Sequence, residues 1–159
     1  MLDTQVIELL GRHRLSDELL RSGLEVAFPA RDRGIDLIAY ADLGRQVERF
    51  VAKPIQMKAA STQAFGLFQK YTKISDLILA YVWNLNDPKL AVTYALTYQE
   101  AIAVAATMGW TKTPSWSTGG YTTSKPSKRL LELLEPFKMT SEKWWQKVVS
   151  TERPIPTGA

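Results

Sequence analysis

The sequence predicts an α/β protein, a mixed central sheet flanked by helices, and three observations carry that expectation. Two continuous apolar runs of strand length, Leu77 to Trp83 and Leu90 to Leu96, imply strands covered on both faces. Helix-period segments lie on either side of them, at Thr4 to Ser22 and at Tyr98 to Met108. Between the first helix and those runs, Gly34 to Tyr40 and Pro54 to Ala60 are two β-branched stretches joined by a polar turn, the pattern of an antiparallel pair.

Composition bounds the class of molecule. With 159 residues, 45% hydrophobic and 23% charged, the chain has material for one sizeable core, so residues 1–150 are expected to form a single domain. Residues 151–159, with two prolines and a glycine, are expected to form a loose tail. The absence of cysteine excludes a disulfide framework and a thiolate zinc site. No apolar run approaches the roughly 18 residues of a membrane span, and Asp3 and Glu8 stand where a signal peptide would be basic and then apolar. A cytoplasmic protein with no membrane partner is the expectation. A formal net charge of +4 permits a polyanionic partner without requiring one.

Taken in order, the first helix offers Val6, Leu9, Leu10, Leu19 and Leu20 for a buried stripe, with Gly23 just past its end. Gly11 and Ser16 weaken it, so two shorter pieces remain an alternative. Leu24 to Phe28 reads as a short strand, and Pro29 to Gly34 as a charged loop in which Arg31 and Arg33 either contact phosphates or are simply solvated. The turn after Tyr40 centres on Asp42 to Gln46, and Pro54 marks a bulge in the next strand. Phe65 to Lys73 is a strand or an irregular segment. Asn84 to Pro88 turns the two apolar runs into a hairpin. The helix from Tyr98 is ended by Gly109, a helix from Pro126 to Leu134 is stopped by Pro136, and Ser141 caps a last helix carrying Trp144 and Trp145.

Polar residues stand out within the central pair. Side chains alternate along a strand, so Gln56 and Lys58 share one face while Ile55, Met57 and Ala59 take the other. Asp36 should lie opposite a residue within a few positions of Gln56, which sets a carboxylate against an amide and an ammonium. Without further information this is a polar hairpin face. His13, the only histidine, lies between two arginines with no carboxylate beside it in sequence, and is assigned a surface or packing role.

The order of acid, hairpin, Gln-apolar-Lys and then small residues, as in Asp36, Gln56-Met57-Lys58 and Ala59-Ala60, resembles the PD-(D/E)xK phosphodiesterase superfamily. That superfamily includes restriction enzymes, archaeal Holliday-junction resolvases and intron-encoded homing endonucleases. The resemblance covers roughly the first half of the chain. It departs from the commonest pattern in lacking a proline before Asp36 and in having Gln56 at the second acidic position.

The resemblance implies a restriction-endonuclease-like core and a divalent-metal-dependent endonuclease acting on duplex or branched DNA, with magnesium or manganese as cofactor. Asp36, Gln56, Lys58 and Glu8 would be the catalytic set. Asp36, the Gln56 side-chain oxygen, the Met57 carbonyl and Glu8 would address the metal. Glu8 on the first helix also reads as an acid complementing the helix dipole, and Glu25 is a weaker candidate for the missing carboxylate. The alternative is a binding protein that keeps the fold and the groove but does not cut, and Gln56 is the reason to hold it open.

Two further expectations complete the picture. Between Glu100 and Glu132 there is no acid, and Lys112, Lys125, Lys128 and Arg129 are interleaved with Trp110, Trp116 and Tyr121. This is the composition of a nucleic-acid contact, or of a loop anchored by its tryptophans and kept soluble by its lysines. Adjacent Trp144 and Trp145 cannot share one helix face, which points to a homo-oligomer, a dimer or a higher even-numbered assembly.

Overall fold

The computed structural model describes residues 2–44 and 47–149. Arg45 and Gln46 of the expected turn and the expected tail at 151–159 lie outside these residues. Five strands form one sheet in the order β1 (Glu25–Ala27), β2 (Leu37–Ala41), β3 (Val51–Ala59), β5 (Ile78–Trp83), β6 (Val92–Thr97). β3 and β5 run parallel and every other pair is antiparallel, so the sheet is mixed. A separate two-stranded sheet pairs β4 (Phe65–Phe68) with β7 (Gly120–Thr123).

The continuous apolar run at β5 is divided between two cores by the pleat. Ile78, Ala80 and Val82 face a layer built by α1 (Thr4–Arg21) and α5 (Ser141–Val149). Leu79, Tyr81 and Trp83 face α2 (Tyr98–Thr107), α4 (Lys128–Leu134) and β4. Every residue of β5 is buried, which is why the run carries no polar alternation. Tyr81 and Trp83 also pin the small sheet, donating from Oη to the Gly66 carbonyl and from Nε1 to the Ala64 carbonyl, each at 2.7 Å. Of the described helices, none is long and apolar enough to cross a membrane.

Helix α1 is a single piece from Thr4, capped by Asp3, whose carboxylate accepts from the Val6 N–H, and it ends before Gly23 at φ 93°. Its buried face is Ile7, Gly11, Leu15 and Leu19, whereas Val6, Leu9, Leu10 and Leu20 of the expected stripe are exposed. Contact between helix and sheet decides this. A Cβ on Gly11 would stand 2.7 Å from Ala59 Cβ and 3.2 Å from Met57 Sδ, so the helix lies against β3 through its glycine.

Two other expectations are corrected. Pro54 sits in an unbroken ladder opposite Ile38 and marks no bulge. Asp36, just before β2, donates its N–H to the Ile55 carbonyl at 2.9 Å. Thr140 and not Ser141 caps α5, its hydroxyl accepting from the Lys143 N–H. Trp144 is fully buried with Nε1 donating to Glu18, and Trp145 is partly buried, packed on the same core beside Gly23.

Candidate functional site

The site grows from the start of β2 and the second half of β3. The ladder puts Leu37 opposite Ile55, and this brings Asp36 alongside Gln56, as the alternation of the sequence requires. One oxygen of Asp36, Oδ2, accepts from Gln56 Nε2 at 2.9 Å and from the Met57 N–H at 2.7 Å. Gln56 Nε2 also lies 3.4 Å from the Met57 carbonyl. A single amide nitrogen thus stands between the carboxylate and the carbonyl. Gly34, at φ 87°, turns the preceding loop so that the chain enters β2 at this point.

Lys58, two residues on, points the same way as Gln56 and is half-buried. Its Nζ lies over two aromatic faces, 5.5 Å from the Phe68 centroid and 5.4 Å from that of Tyr71. Those rings come from the end of β4 and from the 3-10 turn Gln69–Lys73, and they hold the ammonium by its attraction to ring faces.

Asp36, Gln56, Met57, Lys58 and Glu8 all line one cavity of about 700 Å³, whose opposite wall is Phe65, Phe68 and residues 122–124 at the end of β7. Glu8 is bound to Arg12 at 3.2 Å and more than half exposed, so it borders the cavity from outside the Asp36 cluster. Among the described residues, no three Asp, Glu or His side chains are grouped so as to hold a metal ion. Burial holds the Asp36 carboxyl above its usual range. The Met57 N–H opposes the shift, the Asp32 charge adds to it, Arg12 lowers it and Glu8 raises it.

Other expected residues lie elsewhere. A second cavity adjoins the first and shares Asp36, Gln56 and Lys58 with it; Glu25, on β1, lines neither, and His13 is exposed on α1. Lys112, Lys125, Lys128 and Arg129 are exposed, and Lys128 faces Glu132 at 4.0 Å. None of the four lines the cavity, although Lys125 follows Ser124, which does. Trp110 is buried and stacked on Tyr121 with centroids 4.4 Å apart, so these two rings anchor the segment and are not offered to a base. Arg31 is exposed away from both cavities, whereas Arg33 lines the second.

The sequence reading missed Asp32, Lys70, Lys73, Phe68 and Tyr71. A signal was present, because Phe68 and Tyr71, like Lys70 and Lys73, are spaced by three, and three residues make one turn of a 3-10 helix. What the spacing lacks is any indication that this turn meets Lys58. Comparison of the chain with family models, with curated proteins and with solved structures gives no match in any of the three.

Proposed function

We propose that this protein hydrolyses phosphodiester bonds of a nucleic acid with the help of a divalent metal. The observation that carries the proposal is the convergence of Asp36, Gln56, the Met57 carbonyl and Lys58 on one cavity, the same residues whose order resembles the PD-(D/E)xK nucleases. Magnesium takes oxygen ligands and retains several waters, so few protein oxygens suffice. Here the Asp36 carboxylate, the Met57 carbonyl and the Gln56 amide oxygen fit that demand, since an amide carries oxygen and nitrogen on one carbon and offers either. Glu8 borders the cavity as a further acid. A bound metal would neutralise charge on the diester and acidify a water.

The chain's own residues do the rest. The hydrogen bonds from Met57 and Gln56 fix Asp36 before any ligand arrives, which removes a reorganisation cost. Lys58, braced on two rings, presents a positive charge to the non-bridging oxygens as negative charge accumulates on them, and orients the attacking water.

One observation favours a second function, a binding protein that does not cut: Asp36 is already satisfied by neutral donors, and no three-acid group exists among the described residues. Incubating the protein with plasmid, branched junction and single-stranded substrates in magnesium or manganese separates the two. Cleavage that is lost in Asp36→Ala and in chelator supports hydrolysis. Binding without cleavage in either metal overturns it in favour of the second function.

A further inference from the structure

We propose that the hollow beyond Lys58, between the loop at 32–34 and the 3-10 turn Gln69–Lys73, is a second phosphate seat. It takes the backbone phosphate adjoining the one at Asp36, which makes the substrate an oligonucleotide strand and not an isolated phosphate ester. The proposal rests on the nucleic-acid function above and deepens it.

This hollow of about 520 Å³ shares Asp36, Gln56 and Lys58 with the first cavity, so both open on the same polar cluster. Arg33, Lys70 and Lys73 are added on its far side. Lys70 Nζ lies 5.7 and 5.6 Å from the Phe68 and Tyr71 centroids, the same two rings that brace Lys58. Two ammonium groups therefore address one pair of rings.

None of these four cations makes an ion pair among the described residues. Arg33, Lys70 and Lys73 are exposed and Lys58 is half-buried; two other partly buried lysines are paired, Lys53 with Asp76 at 3.4 Å and Lys147 with Glu100 at 2.6 Å. Asp32 and Asp36 line the hollow as well, leaving four positive groups against two carboxylates, one of them held by Gln56 and Met57. Like charges gathered round a concavity repel one another, and an entering anion relieves that repulsion. A flexible ammonium meets a phosphate as a point charge without demanding one orientation, which suits a backbone read without regard to sequence.

The path continues past the hollow. Lys70 and Lys73 also line the next depression, where Tyr98 and Trp116 are the aromatic residues. A strand leaving Asp36 in this direction thus passes Lys58, then the two lysines, then a ring on which a base can lie.

The test is the salt dependence of binding for a 20-nucleotide duplex and for its single strand, comparing the wild type with Lys70→Gln/Lys73→Gln. Losing two phosphate contacts reduces the slope of log affinity against log salt by about two. Over a fourfold rise in salt the wild type should then lose roughly tenfold more affinity than the variant. Lys70→Arg/Lys73→Arg should restore the wild-type slope, and circular dichroism melting checks that each variant is folded. An unchanged slope in the glutamine variant, or no binding by the wild type at any salt, overturns the seat. Cleavage lost in Asp36→Ala tests the hydrolytic function, while the seat is judged by the lysine variants alone. A wild type that binds with the steep slope but never cuts removes the hydrolytic function and leaves the seat standing.

Discussion

Gln56 donates from Nε2 to Asp36 Oδ2 at 2.9 Å, so that a neutral amide closes the position beside a half-buried carboxylate. An acid at Gln56 would bring a second negative charge to this position. The pair would then resist ionising together unless a cation stood between them.

Gln56→Glu tests that relationship. In chelator at neutral pH the variant should melt below the wild type, because two facing carboxylates replace a hydrogen bond. Added magnesium or manganese should raise its melting temperature by more than it raises that of the wild type, since only the metal-bound state relieves the repulsion. Equal response of both proteins to metal would show that no cation enters here.

Asp36→Asn should stabilise the metal-free protein at neutral pH. Burial is the main cause that raises the Asp36 carboxyl above its usual range, so the folded state keeps a proton that the unfolded chain releases first. Stability from the neutral carboxyl is present in full below the ordinary carboxylate pKa and is lost as pH rises through the raised folded-state value. The asparagine has no such loss. The difference in melting temperature between variant and wild type, measured in chelator between about pH 3 and pH 7, should therefore widen in favour of the variant and then level off.

Gly11→Ala should cost about 1–3 kcal/mol, the range for overpacking a close contact. The new methyl would meet Ala59 Cβ at 2.7 Å, and relief requires α1 to move off β3. Ordinary helix propensity has the opposite sign, because alanine is the better helix former. A denaturant titration showing stabilisation would mean that the helix yields freely.

Glu18→Ala should cost a comparable amount, about 1–3 kcal/mol, through groups left without partners. Glu18 accepts from the Thr93 hydroxyl at 2.8 Å, the Trp144 indole at 3.0 Å and the Arg14 guanidinium at 3.0 Å, and so ties α1 to β6 and α5. Glu18→Gln keeps an acceptor for Trp144 and should lose less. The ranking in chemical denaturation is the measurement, and equal loss in both would assign the effect to charge alone.

The parts of the fold that were legible in the sequence are those dictated by local pattern. Leu77 to Trp83 admits no wet face, and residues 36, 56 and 58 were placed together by nothing more than a hairpin and a period of two. Helix α1 was legible as a helix but not in its buried face. Val6, Leu9 and Leu10 are more apolar than Gly11, yet closeness to β3 favours the residue with no side chain. The basic residues near Lys58 were hidden for a related reason. Lys112, Lys128 and Arg129 drew attention by composition, whereas Lys70 and Lys73 reach Lys58 only through strand pairing distant in sequence.

That pairing bears on the order in which the molecule assembles. β3 and β5 are parallel neighbours with Ile55 opposite Ile78, so the chain between them must travel back along the sheet before β5 can dock. The returning stretch holds β4 and the 3-10 turn with Phe68, Lys70, Tyr71 and Lys73. A hairpin closes in microseconds, while pairing across such a crossover is slower because the loop entropy is lost before contacts compensate it. A folding chain with β2 and β3 already joined would therefore hold Asp36 against Gln56 but have no cationic wall. Binding at the proposed phosphate seat should appear only as β5 enters the sheet, which would make it a clock for that step during refolding.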